Sequence, residues 1–392
     1  MGVKMKTFRQ RASLSRRATS IALTLITAAW LTPLVTYASP QRLLAYYPFW
    51  ARREMPAYSA GQIPFQKLTH IAHSFLLLDP KGDGSLSVNP SLIEPELIAK
   101  AHAAGVKVLI AVGGAMPGQE AAFAQVARNE AYRRAFARNV RDFVVARGYD
   151  GVDIDWEFPK ALEDTAACTL LIKALRDEMP APKWLLSMAV PANPAADATG
   201  LDFGALTPML DFFNVMTYDF HGPWSKHAGH NSPLNLSPDD PGREGSLTTS
   251  IDLFLQRYRV PAEKLNVGTA FYGYEFEGVS RLWGECACES VTKPRRYGAF
   301  IKQRLNRLGW GAYFDKGAMA PYLLRRDAKS APALVTYDDA ASTERKVKYA
   351  LGRRKLGGVF MWSLGADYDG VSQDLMDAMY RAYSRERRRA GK

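Results

Sequence analysis

Asp150-Gly-Val-Asp153-Ile-Asp155-Trp-Glu157-Phe-Pro159 is the most informative stretch of the 392-residue chain. Within it Val152, Ile154 and Trp156 alternate with Asp153, Asp155 and Glu157. A β-strand sends successive side chains to opposite faces, so the three carboxylates share one face and the apolar residues the other. Side chains two apart lie roughly 7 Å from each other. At that spacing in a protein interior, free carboxylates repel and lose hydration, so they share protons or hydrogen bonds and at least one pKa rises. A carboxyl group kept protonated near neutrality is what a general acid needs. Calcium loops also use carboxylates, but on glycine turns, without an Ile154 and a Trp156 interposed along a strand. The stretch therefore predicts a strand with a polar inner face, and Glu157 at its C-terminal mouth.

Seven further apolar, β-rich runs extend the pattern: 43–47, 71–77, 106–112, 184–190, 212–217, 265–271 and 358–362. Helix-like segments at 92–104, 120–147, 161–178, 247–258, 343–353 and 371–383 separate most of them. Apolar strands alternating with amphipathic helices imply a parallel sheet covered by helices. Eight such units predict an α/β fold, a (β/α)8 TIM barrel, with its active site at the C-terminal ends of the strands. The surplus, residues 274–335, is rich in aromatic and turn residues and reads as a small α+β insertion subdomain between strand 7 and helix 7. The expected catalytic barrel then comprises residues 39–273 and 336–380.

The net charge of +12 would suit a nucleic-acid partner if it lay in the fold. It does not. Six basic and no acidic residues fall within residues 1–38, and residues 381–392 carry a net +5, which leaves the body at +1. The N-terminal segment joins this basic region to an uncharged apolar stretch, 18–37, and a small-residue exit at Ala38-Ser39. That is the pattern of a signal peptide cleaved after Thr36-Tyr37-Ala38, and Arg16-Arg17 is compatible with twin-arginine export. The expectation is a secreted or periplasmic protein with no stable membrane span after cleavage, and a solvated basic C-terminal tail at 381–392. Cys168, Cys286 and Cys288 show no zinc spacing, and Cys286 and Cys288 are close enough in sequence to strain a bridge, so at most one disulfide is expected. The six histidines form no HExxH pattern. No metal or other cofactor is expected, and His221, His227 and His230 read as loop hydrogen-bonders. Nothing in the chain signals an obligate oligomer, so a monomer is expected.

The acidic stretch matches the DxxDxDxE signature of glycoside hydrolase family 18, and the resemblance continues in order along the body. Tyr46-Tyr-Pro-Phe-Trp50 looks like the family's first-strand motif, and Ala111-Val-Gly-Gly114 resembles its third-strand SxGG. Met216-Thr-Tyr-Asp219-Phe-His-Gly-Pro-Trp224 with Gly229-His-Asn-Ser-Pro233 resembles the sixth-strand motif of chitinases. Phe271-Tyr-Gly273 and Gly357-Gly-Val-Phe-Met-Trp362 look like the seventh and eighth.

The resemblance implies a chitinase that hydrolyses β-1,4-N-acetylglucosamine linkages with retention, the substrate's own acetamido group acting as nucleophile. On that reading Glu157 is the acid and base. Asp155 orients the acetamido group, Asp153 supports Asp155, and Tyr218 bonds the acetamido group from the opposite wall. Gly114, Met216, Asp219, Tyr272 and Trp362 would line the sugar site, with Trp362 as its floor. Trp50 and Trp224 would be stacking platforms, and Tyr46 would brace the inner aspartates. The implied partners are chitin or chito-oligosaccharides. Related substrates, the N-glycan chitobiose core or peptidoglycan, are alternatives on the same fold, and a chitin-binding lectin is a non-catalytic one. Three positions depart from the pattern: Ala111 for Ser, Ala115 for Trp and Tyr274 for Arg. Ala111 removes a hydroxyl that would support Asp153, and the other two bear on the +1 subsite and the groove's depth.

Overall fold

The computed structural model describes residues 41–390 except Ala328, leaving out the side chains of Leu162 and Pro194. The expected signal segment and its cleavage site lie outside the described residues.

Eight parallel strands close on themselves. They are β1 (Arg42–Pro48), β2 (His70–Leu78), β3 (Lys107–Gly113), β4 (Gly151–Asp155), β5 (Leu185–Pro191), β6 (Phe212–Met216), β7 (Leu265–Ala270) and, after the insertion, β13 (Gly358–Trp362). Each pairs with the next, and β1 pairs with both β2 and β13, which completes the ring. The period-two alternation sorts the strand residues. Leu43, Ala45, Tyr47, Val108, Ile110, Val152 and Ile154 join the core beneath the helices. Leu44, Tyr46, Leu109, Ala111, Phe212 and Phe360 fill the barrel interior. Burying two apolar layers, one on each face of the sheet, stabilises the fold at about 25 cal/mol per Å² of apolar surface removed from water.

The long segment predicted at 120–147 is two helices, Gln119–Arg128 and Glu130–Arg147. They break at Asn129, whose extended backbone and side chain cap the second by accepting the Tyr132 N–H. A larger correction concerns the C-terminus. Residues 381–390 are not a solvated tail but the continuation of the last barrel helix, Asp374–Ala390. The buried stripe Leu375, Met376, Met379 runs on through Ala382, Tyr383 and Glu386, so the helical period outlasts the change in composition. The Tyr383 hydroxyl donates to the Gln41 carbonyl at 2.6 Å, and Arg381 and Arg385 pair with Glu344.

The insertion is a five-stranded antiparallel sheet made of β8 (Tyr272–Glu277), β9 (Thr292–Arg296), β10 (Trp310–Asp315), β11 (Ala320–Arg325) and β12 (Ala333–Thr336). Their order across the sheet is β9-β8-β12-β11-β10. The sheet begins at Tyr272, two residues before the expected start, because β7 runs almost directly into β8. Gly273 is required there: a Cβ would lie 1.8 Å from the Thr336 carbonyl oxygen of β12. Cys286 and Cys288 are joined in a disulfide despite their spacing, and Cys168 is free and buried. Among the described residues no helix is long and apolar enough to cross a membrane.

Candidate active site

The inner face of β4 carries Asp153 and Asp155, and Glu157 follows the strand's end. Asp153 is fully buried. Strand register sets it beside Ala111 of β3 on one side and Ser187 of β5 on the other. The hydroxyl that Ala111 lacks is thus supplied from the opposite neighbour: Ser187 donates to Asp153 Oδ1 at 2.6 Å. Asn214 of β6 donates to the same oxygen at 3.1 Å, and the Tyr46 hydroxyl donates to Oδ2 at 2.7 Å. Below them Asn266 donates to Asn214 at 2.8 Å, and Arg42 donates to Asn266 at 3.0 Å. A polar column therefore fills the barrel floor where an apolar core is the simpler solution. Each member is partnered, which is the condition for burying it.

Burial drives the titration of the acidic stack. It pushes the Asp153 carboxyl up to about 6, against the pull of its three hydrogen-bond donors. Asp155 is raised well above the ordinary carboxylate range by burial, then by Glu157 and Asp153. Its Oδ1 has no hydrogen-bond partner among the described residues. Glu157 is raised to about 7, by burial and then by the Asp219 charge, while the Ala115 N–H pulls the other way. Burial raises all three carboxyls: Asp153, at about 6, is largely ionised at neutral pH, while Glu157, at about 7, is poised to give or take a proton.

The opposite wall comes from the loop after β6. Asp219 sits in the left-handed region at φ 60°, which costs a non-glycine residue free energy unless its surroundings hold it there. Here they do. Its N–H donates to Asn231 at 2.9 Å, and its carboxylate accepts the hydroxyls of Tyr272 and Tyr274, the latter at 2.9 Å. The departure at Tyr274 thus has a visible role, holding the carboxylate that raises Glu157. At the end of β13, Trp362 stacks on Phe75 with ring centres 5.7 Å apart and meets Tyr46 and Trp50 edge-on. Carboxylates and aromatics together enclose a cavity of about 230 Å³.

Asp155, Glu157, Tyr46, Trp50, Met216, Tyr218, Asp219 and Trp362 all line that cavity. Asp153 lies beneath it. Tyr272 lines an adjoining cavity of about 370 Å³, which shares Trp50, Asp219 and Trp362 with the first. Two expected substrate residues fall elsewhere. Gly114 does not line the cavity: at φ +79° it makes room for the Phe75 ring, which a Cβ would meet at 2.6 Å. Trp224 is 58% exposed, edge-on to Tyr274, and outside both cavities. Sequence reasoning missed Phe75 and Met116 in the wall and Ser187 and Asn214 under Asp153. An inward position on a neighbouring strand was the only signal for the last two. The arrangement can donate a proton from Glu157 to a ligand atom in the cavity and hold a partial positive charge over Asp155.

Comparisons with known proteins agree with this geometry. Chitinase A1 of Niallia circulans is 31% identical over 302 residues, covering 70% of this chain but only 42% of its own length. A solved family 18 N-acetylglucosaminidase from Paenibacillus barengoltzii superimposes with TM-score 0.74 at 26% identity, over 87% of this chain and 99% of its own. Catalytic domain 2 of the Ostrinia furnacalis Group II chitinase, solved with an N-acetylglucosamine pentamer, gives TM-score 0.77 at 25% identity, over 88% and 96%. The sequence profile of Glycosyl hydrolases family 18 matches residues 42–367, from the first barrel strand past the last, and the chain belongs to that family.

Proposed function

We propose that this chain is a chitinase that cleaves β-1,4 linkages between N-acetylglucosamine units, with retention of configuration. One observation carries the reading. Glu157 has a carboxyl raised to about 7 and shares its cavity with Asp155, which is buried beneath the mouth and raised well above the ordinary range. An acid in that state protonates the glycosidic oxygen as the C1–O bond breaks. The carbonyl oxygen of the substrate's 2-acetamido group closes on C1, giving an oxazolinium ion. Asp155, its proton passed to the Asp153 carboxylate below, accepts the acetamido N–H and offsets the positive charge, while Tyr46, Ser187 and Asn214 hold Asp153 in place. Glu157, now a carboxylate, takes a proton from the incoming water, which opens the ring and restores the β-anomer. The protein supplies positioning and electrostatics, because the nucleophile arrives with the substrate. Tyr218 closes the wall opposite, and Trp362 with Phe75 gives an apolar floor for a sugar's C–H face.

Chito-oligosaccharides are the favoured substrate on two grounds. The body is close to neutral, and the related insect domain was solved with such an oligomer. Export before action is part of the same proposal and rests on the basic, apolar and small-residue order of residues 1–39.

Two measurements test it. Glu157→Gln should lower kcat/KM on chito-oligosaccharides by about 10³-fold or more with KM little changed. Early proton NMR should show the β-anomer as first product. An initial α-anomer rejects the acetamido route, and turnover of a chitobiose-core glycan alone, with colloidal chitin untouched, rejects the substrate.

A further inference from the structure

Three side chains of the loops after β6 converge at a point the mechanism does not use. His221 Nε2 lies 3.1 Å from His227 Nε2, His227 Nε2 lies 3.1 Å from Asp240 Oδ1, and His221 Nε2 lies 3.5 Å from the same oxygen. All three residues are buried, with exposures of 0, 5 and 4%. A fourth donor is near: a ligand atom of each of His221, His227 and Glu244 lies within 4.8 Å of the others.

Hydrogen bonding between neutral rings does not account for this triangle. His221 Nδ1 faces the His230 carbonyl at 3.1 Å, and a carbonyl only accepts, so Nδ1 carries the proton. In the neutral ring Nε2 is then a lone pair. One Nε2–H on His227 reaches either that lone pair or Asp240, not both in good geometry. The remaining edge sets a lone pair against a carboxylate oxygen that already accepts the Gly242 N–H. Three electron-rich atoms at mutual distances of 3.1 to 3.5 Å form one face of a tetrahedron. Ligands held about 2.0–2.1 Å from a zinc ion stand about 3.3–3.4 Å apart.

We propose that His221, His227 and Asp240, with Glu244 as fourth donor, form a tetrahedral site for a divalent transition cation of the zinc type. Two imidazoles with carboxylate oxygens suit that class of ion rather than calcium or magnesium, which prefer all-oxygen shells. The supporting contacts fit as well. The Nδ1–H bond to a main-chain carbonyl orients His221 with Nε2 toward the ion, as is usual for histidine ligands. Main-chain N–H groups of Gly242 and Glu244 hold the Asp240 carboxylate at 3.0 and 3.1 Å. His227 also lines an open surface cavity of about 850 Å³, which supplies an entry path.

The site's place in the fold gives it a task. His221 is two residues after Asp219, and the loop it belongs to meets the insertion through main-chain bonds. Ala228 N–H donates to the Gly284 carbonyl at 2.8 Å, and Trp283 N–H to the Ala228 carbonyl at 3.0 Å. An ion bridging His221 and His227 to Asp240 ties down the wall that holds Asp219 and Trp224. It contacts none of the residues assigned to proton transfer, so its role is structural, and it stands independently of the proposed reaction.

The test uses the full chain, purified without a polyhistidine tag and without substrate. After dialysis against trace zinc and then buffer, the protein should retain about one zinc ion per chain. The cobalt-substituted protein should show the intense visible absorption of tetrahedral Co²⁺. Crystals should show an anomalous difference peak, present above and absent below the zinc edge, between His221 and His227. His227→Gln should abolish the stoichiometric zinc and the cobalt band. No retained zinc and no tetrahedral cobalt band in the unaltered chain overturn the proposal without recourse to any variant. So does an anomalous peak elsewhere, or zinc retained undiminished by folded His227→Gln.

Discussion

Asp153, Asp155 and Glu157 have no cation among their hydrogen-bond partners in the described residues, whereas Asp338, as buried as Asp153, meets the ammonium of Lys346. Both groups suffer desolvation, and burial raises Asp338 as it raises the others. The difference lies in what opposes it. Lys346 is fully buried and also donates to the main-chain oxygen and hydroxyl of Ser232, and Ser232 Oγ donates in turn to the Thr217 carbonyl at 2.7 Å. Thr217 precedes Tyr218 and Asp219. The compensated pair thus braces the backbone from which the uncompensated acids are faced. Charge is neutralised where the fold must hold still and left open where a proton must move.

Breaking the brace should have the largest effect. Lys346→Met leaves Asp338 buried without its cation and is expected to cost about 3–5 kcal/mol of stability, read from denaturant midpoints. Adding Asp338→Leu to that variant should recover most of the loss, because an apolar pair needs no compensation. A Lys346→Met chain as stable as the unaltered one would erase the contrast.

The acidic stack should respond in the opposite direction. Glu157 binds its proton more tightly folded, at about 7 against an ordinary 4.5, so its contribution to stability is present below 4.5 and is lost as pH rises through 7. Glu157→Gln removes that titration. The variant should therefore be more stable than the unaltered chain by roughly 3 kcal/mol at pH 8, with the advantage nearly gone at pH 4. An advantage that does not grow between those two pH values would show that Glu157 is not held protonated by the fold.

The smallest effect sharpens the picture inside the stack. Asp219 raises Glu157 through its charge, so Asp219→Asn should lower the alkaline limb of the kcat/KM profile by roughly half a pH unit, with activity declining earlier as pH rises. An unmoved limb would confine Asp219 to a positioning role.

How much of this was legible beforehand differs by element. The barrel was, because eight apolar runs of strand length were mostly separated by segments of helical period, and both periods are local properties of the chain. The C-terminal helix was cut short because a run of arginines changed the composition without breaking the helical stripe that Ala382, Tyr383 and Glu386 continue. The break at Asn129 was hidden inside a segment helical on both sides. In the site, the acidic strand announced itself through an alternation of charge that packing alone does not explain. Whether Trp224 lines a cavity or faces solvent was not legible, because an aromatic residue next to a motif has the same sequence in either place.

The order of residues determined by itself which face of β4 carries the acids and which acid comes last, because strand alternation is fixed by the backbone. Tertiary structure decided what those acids touch. Ser187 and Asn214 reach Asp153 across separations of 34 and 61 residues, and strand register alone brings them there. The same closure set His221 and His227 against Asp240, three residues that read singly as ordinary loop polar groups. Pattern along a chain fixes direction; only the packing of distant segments fixes distance, and proton transfer and metal binding both depend on distance.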